Sequence, residues 1–166
     1  NVDLDVLRSP HGRTGKADRE TFDRLTAATV RWVGTLPWTR RFARGGVNLL
    51  LTHGTPRSPF EYMRPNLDTH TFLALLGDGR VDVVVCGHTH MPAVADNGGI
   101  LVVNPGSVGR PIDGDQRASY AVIEVREAPR AFLRRVPYVV ERTARAIVEQ
   151  GQPASAADAL RKGLKG

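Results

Sequence analysis

Lysine is scarce in this 166-residue chain. Of its 23 lysines and arginines only Lys16, Lys162 and Lys165 are lysines, so 20 are arginines. The formal net charge of +6 is therefore almost wholly guanidinium charge. A basic balance admits polyanionic partners. The arginines are scattered, however, with local pairs only at Arg40-Arg41 and Arg134-Arg135. Aromatic residues amount to 6% and are not interleaved with them, so no base-stacking platform is indicated. Nucleic acid is not expected as the main partner. The single cysteine, Cys86, excludes an internal disulfide; it lies in an apolar run and reads as a buried structural thiol. No apolar stretch approaches the roughly 20 residues that cross a bilayer. The first residues carry no signal-peptide pattern. These absences lead to the expectation of a cytoplasmic protein without a membrane partner.

Hydrophobic residues at 41% and charged residues at 24% make a globular composition, and the length fits a single domain over residues 1–166. A helix is expected from Asp18, with Glu20 in its first turn and Phe22, Leu25, Thr29, Trp32 and Leu36 as its apolar face, stopping at Pro37. Val47 to Thr52 reads as a buried strand ending in His53-Gly54, followed by a polar loop from Thr55 to Pro65. A helix over Leu67 to Leu76 turns Phe72, Leu75 and Leu76 inward and stops at Gly77. Val81 to Cys86 and Ile100 to Val103 are further buried strands. Tyr120 to Val125 and Ala131 to Val136 alternate as a hairpin. Val140, Ala144, Ile147 and Val148 mark a helix, and a last one follows Pro153, with Ser155 and Asp158 at capping-box spacing.

The chemistry concentrates in Cys86-Gly87-His88-Thr89-His90-Met91-Pro92. A buried strand ending in Gly-His-x-His brings two imidazoles to one sheet rim, and neutral imidazoles are common metal ligands. Residues two apart on an extended segment share a face, which predicts that His88 and His90 point together. Sites in α/β folds gather outside strand ends. His53, His88, His90 and Asn104 would share such an edge if their strands are neighbours. Arg57 and Arg117 either hold a phosphate by bidentate hydrogen bonds or make surface salt bridges. Tyr62 either stacks on a nucleobase or packs against the Pro-rich loop. His11 and His70 read as surface residues, and Trp32 and Trp38 as core or helix-end packing.

These motifs together resemble the C-terminal half of the calcineurin-like metallophosphoesterases, within them the bacterial phosphodiesterase and diadenosine-tetraphosphatase-like group. The matching stretches are Asn1-Val2-Asp3, Leu51-Thr52-His53-Gly54, Cys86 to Pro92 and Asn104-Pro105-Gly106-Ser107-Val108-Gly109. Asp115 to Tyr120, Pro137-Tyr138 and Glu141-Arg142 continue the match.

The resemblance implies an α/β fold: a four-layer sandwich of two mixed β-sheets flanked by helices, here without its N-terminal part. It implies two divalent metals, Mn first, with Fe, Ni, Zn, Co or Mg as alternatives. Asn1, His53 and His88 would hold one ion and His90 the other. Val2 stands where the family often carries a catalytic histidine, so the general acid is unassigned. The implied reaction is hydrolysis of a phosphomonoester or phosphodiester by a metal-activated water. Its substrate would be a phosphorylated small molecule, a nucleotide or a phosphoprotein. The bridging aspartate and the Asp-x-His motif have no counterpart in residues 1–166. An upstream segment of the same domain, or a second copy of the chain, is expected to supply them and to cover the exposed sheet edges. A non-catalytic scaffold of the same fold and a basic nucleic-acid-binding protein are the rival readings.

Overall fold

The computed structural model describes residues 23–64 and 66–165. By its internal contacts the chain divides into two compact units, Asn1–Trp38 and Thr39–Gly166.

In the first unit the structure gives α1 (Ala27–Gly34), with one helical residue, Asp23, ahead of it. The single helix expected to run to Leu36 is interrupted between them. Thr26, extended at φ −73° and ψ 153°, caps α1 by accepting a hydrogen bond from the Thr29 amide at 3.1 Å. Residues 24–25 form a turn and a bend, so Leu25 and Trp32 do not share one helix; Asp18, Glu20 and Phe22 lie outside the described residues. None of α1 is buried, and Trp32 is 63% exposed where core or helix-end packing was expected.

The second unit is built on a five-stranded mixed sheet of β1 (Thr39–Arg44), β2 (Val47–Thr52), β3 (Val83–Val85), β4 (Ala93–Asn97) and β5 (Ile100–Asn104), in the order β1-β2-β3-β5-β4. The three central strands run parallel, with Leu50 opposite Val84 and Val84 opposite Val102. They are the near-continuous apolar runs of the sequence, as strands buried on both faces must be. Successive side chains serve opposite cores. Leu50, Val84 and Val102 face one way, onto Met63 and the Phe72, Leu75 and Leu76 side of α2 (Thr69–Leu76). Leu49, Val83 and Val103 face the other way, onto Ala121, Ile123 and Ala131 of a second, two-stranded sheet. That sheet is the antiparallel hairpin of β6 (Ala118–Glu124) and β7 (Arg130–Val136). The two sheets and their helices match the expected architecture, although the described part of the second sheet is purely antiparallel.

Two strands were not anticipated. β1 and β4 are antiparallel edges joined to their neighbours by Gly45-Gly46 and Gly98-Gly99. All four glycines have positive φ, from 55° to 81°, the left-handed backbone of a tight two-residue hairpin turn. β1 carries Arg40, Arg41 and Arg44 and is exposed along most of its length, as charged edge strands are. The start of β3 is held to β2 by Asp82, whose carboxylate accepts from both the backbone and side-chain amides of Asn48 at 2.8 Å.

The C-terminal helices are α3 (Val140–Glu149) and α4 (Ala154–Lys162). The capping box expected at Ser155 and Asp158 does not form. Pro153 takes the cap position, which moves Ser155 inside the first turn, and Asp158 accepts from Arg161 instead. Arg161 also reaches across to Glu141 of α3, donating from Nε at 2.9 Å and from Nη2 at 3.0 Å. The Arg161 bonds, then the Arg145 bond, hold the Glu141 carboxyl down to about 2. A depressed carboxyl pKa stabilises the fold fully above its ordinary value of 4.5, and that stabilisation fades as pH falls towards about 2. Glu141→Gln should therefore melt below the parent chain at pH 7, with the gap closing by pH 2–3. Thermal melts across that range check it; a gap independent of pH would show that the pair does not tie α3 to α4.

Candidate metal centre

Because β2, β3 and β5 run parallel and adjacent, their C-terminal ends open onto one rim. His53 follows β2, Cys86-Gly87-His88 follows β3, and Asn104 ends β5. The Gly87 amide donates to the His53 carbonyl at 2.7 Å, and the Cys86 amide donates to the Val103 carbonyl at 2.9 Å. The His53 and His88 rings meet with centroids 5.1 Å apart and planes tilted by 59°. Two imidazoles bound side by side to one ion, through metal–nitrogen bonds of about 2.1 Å, place their ring centres about 5 Å apart. The observed pair fits a shared divalent cation.

His88 and His90 depart from expectation. The segment is not extended: both residues have positive φ, 63° and 57°. Such backbone is uncommon away from glycine and gathers at functional sites. The two rings are consequently held by different carbonyls. His88 Nε2 lies 3.1 Å from the Phe60 carbonyl, and His90 Nδ1 lies 2.8 Å from the Arg110 carbonyl. A carbonyl only accepts, so each of those nitrogens carries the proton. In that tautomer the lone pair sits on Nδ1 of His88 and Nε2 of His90, the nitrogens able to ligate a metal, and each ring is fixed from behind as ligating histidines usually are. Burial, opposed by the Phe60 hydrogen bond, lowers the His88 pKa and favours the neutral, ligating form.

Asn104 clamps this loop. Its buried amide donates to the Gly87 carbonyl and to Thr89 Oγ1, both at 2.9 Å, while its oxygen accepts from the Gly106 amide at 2.9 Å. The Asn104 side chain is thus a bracket for the loop, its amide nitrogen fully used and its oxygen engaged by Gly106. Cys86 is fully buried, and burial pushes its thiol up to about 11, far from the thiolate that binds metals or attacks.

The loop after His53 supplies what sequence reasoning missed. Tyr62 stacks on His88, with centroids 4.6 Å apart and planes 23° apart; packing against the Pro-rich loop had been the expected role. Phe60 contributes only a carbonyl, as does Arg110, and a backbone acceptor leaves no mark in the residue type. The two arginines considered as phosphate clamps are both engaged within the chain. Arg57 pairs with Glu61 at 2.7 Å and Arg117 with Asp115 at 2.6 Å. Asn1, Val2 and His11 lie outside the described residues. Among the described residues no three histidine, cysteine, aspartate or glutamate side chains come together as a complete metal cage.

The profile of the calcineurin-like phosphoesterase superfamily domain matches residues 2–128, most of the chain. The chain belongs to that superfamily. That membership supports a hydrolase, and the family generally binds divalent metals. An uncharacterized protein of Methanocaldococcus jannaschii is 24% identical over 86% of this chain and 68% of its own length. A metallophosphoesterase from Sphaerobacter thermophilus superposes with a TM-score of 0.76 at 27% identity, covering 98% of this chain and 74% of the other. A hypothetical protein from Pyrococcus horikoshii OT3 shares the fold with a TM-score of 0.82 at 19% identity, over 99% of this chain and 71% of the other. The superfamily's metals suit the donors at this rim. Among the described residues no helix is long and apolar enough to cross a membrane.

Proposed function

We propose that this chain carries part of a metal-dependent centre that hydrolyses phosphomonoesters or phosphodiesters. The facing His53 and His88 rings at the strand rim are the observation that carries this reading. In it, Asn1 joins His53 and His88 on one ion, and His90, through Nε2, serves a second. Divalent ions bound there, Mn foremost, supply positive charge that draws in a phosphate and lowers the pKa of water. The chain's own part is to orient the imidazoles: Phe60 and Arg110 fix which nitrogen faces the ion, and Asn104 holds the loop. His90 needs carboxylate partners that the described residues do not place beside it. Chain upstream of Asn1, or a second copy, is the proposed source. Nucleotides, including dinucleoside polyphosphates, and phosphoproteins are the substrate classes considered, and the cytoplasm is the proposed compartment. Val2, standing where the family often has a histidine, favours a second reading as a non-catalytic scaffold.

The full-length protein loaded with Mn should hydrolyse p-nitrophenyl phosphate or its bis-aryl diester, lose that activity to a chelator and regain it with metal. Metal bound without turnover under Mn, Fe, Ni, Zn, Co or Mg would favour the scaffold. No metal bound at all would overturn the assignment of the histidines.

A further inference from the structure

His90 is held by the Arg110 carbonyl, and Arg110 is itself held from two directions. Its amide donates to Ser107 Oγ at 2.9 Å. The Ser107 carbonyl accepts from the Ser119 amide at 3.0 Å, which ties this side of the loop to β6. On the other side the chain runs through Pro111, fully buried, to Asp113. Asp113 forms an ion pair with Arg135 of β7. Arg135 Nη1 also reaches the Asp115 and Arg117 carbonyls, at 3.5 Å and 3.4 Å. Ser119 and Arg135 stand opposite one another in the hairpin register. One cross-strand pair of the second sheet therefore grips both ends of the loop that carries Arg110.

Stability alone does not account for this ion pair. The Arg135 and Asp113 side chains are only 17% and 16% exposed. Attraction in a buried pair offsets the desolvation of its charges only when the remaining polar atoms are hydrogen-bonded. Here Asp113 Oδ1 and Ser119 Oγ are buried with no hydrogen-bond partner among the described residues. Apolar side chains of similar volume would hold the sheet as well. They would not fix the loop in one place, because apolar contacts are non-directional and a hydrogen-bonded pair is not. We propose that Arg135 and Asp113 are positioning residues for His90. Together with Ser107 they keep the Arg110 carbonyl where it holds the proton on His90 Nδ1 and leaves Nε2 for the second ion. The proposal rests on the metal-centre reading above and adds the residues that set its second site.

Imidazole nitrogen resonances of the metal-free, full-length protein test this directly. The parent should show His90 in a single tautomer, protonated at Nδ1. Asp113→Leu combined with Arg135→Met should admit the other tautomer and draw the two nitrogen resonances together. Removing both charges at once leaves neither buried and unpaired, so the fold should survive. Ser107→Ala should act in the same direction; it deletes one hydroxyl and keeps the test open if the double variant unfolds. Titration of the same proteins with Mn should show the second ion bound about 10–100-fold more weakly and the first unchanged. Arg126→Ala, which breaks the exposed ion pair with Glu124 at the end of the same hairpin, should change neither reading. A folded variant that keeps one His90 tautomer overturns the proposal. So does a parent whose His90 is already divided between tautomers, or a variant that loses both ions alike. A parent that binds no metal, with the single tautomer lost in the variants, overturns the metal-centre reading and leaves the control of His90 standing.

Discussion

His88→Asn should fold as stably as the parent chain while losing metal-dependent phosphoester hydrolysis by at least about a hundredfold. Removing only a partner that orients a metal-bound histidine typically costs 10–100-fold, so removing the ligand itself should cost about that much or more. The choice of asparagine separates chemistry from folding. His88 sits at φ 63°, where alanine or a branched side chain is strained but asparagine is tolerated. The variant therefore keeps the loop conformation, and its shorter amide cannot place a donor where the imidazole nitrogen was. His70→Ala is the control: His70 is exposed on α2, away from the strand ends, and its loss should change nothing. Metal content and turnover are measured together with thermal melting. Unchanged turnover in a fully folded His88→Asn protein would remove the Gly-His-x-His loop from the centre. Loss of turnover with a large drop in melting temperature would instead mean that His88 holds the fold.

What the sequence disclosed follows from which interactions leave a pattern. Val47 to Thr52, Ile100 to Asn104 and the Phe72-Leu75-Leu76 face of α2 were legible because burial imposes an apolar period. Edge strands escape that rule. Thr39 to Arg44 and Ala93 to Asn97 are largely polar or exposed, and their only signals were the glycine pairs at 45–46 and 98–99, which deserve more weight as hairpin turns. The meeting of His53 and His88 was legible in the same indirect way, because parallel buried strands deliver their C-terminal loops to one side. The relation of His88 to His90 was not. An alternating face presumes an extended backbone, and two positive φ angles break it. Nor were the carbonyls of Phe60 and Arg110 legible, since any residue has one. Tyr62 reaches His88 through the local bonding of the loop that precedes it, which has no period to read.

That loop makes Gly54→Ala the substitution with the largest expected cost to stability. Its segment closes on itself: the Thr55 amide donates to the Ser58 carbonyl at 3.0 Å, the Ser58 amide donates back to Thr55 at 3.2 Å, and Thr55 Oγ1 donates to Glu61 at 2.5 Å. Gly54 lies buried beneath this turn. A Cβ there would stand 2.4 Å from the Glu61 carbonyl oxygen, 2.7 Å from that of Ser58 and 2.8 Å from that of Pro59. All three are backbone atoms tied to one another, so no side chain can swing aside to relieve the overlap. Forcing such overlap into a packed region should cost about 3 kcal/mol. The loop is also the support of the centre, because the Phe60 carbonyl holds His88 Nε2 and Tyr62 covers its ring. Moving the turn off Gly54 shifts both. Metal affinity should fall by about 10–100-fold, as it does when a histidine loses its backing partner. Gly87→Ala is the contrasting case. Its Cβ would meet the His53 carbonyl at an ordinary 3.5 Å, so one added methyl in the same rim should be accommodated. Denaturant melts and metal titrations of the two variants side by side decide the matter. If Gly54→Ala melts with the parent and binds metal as tightly, the turn is pliable and does not set the position of His88.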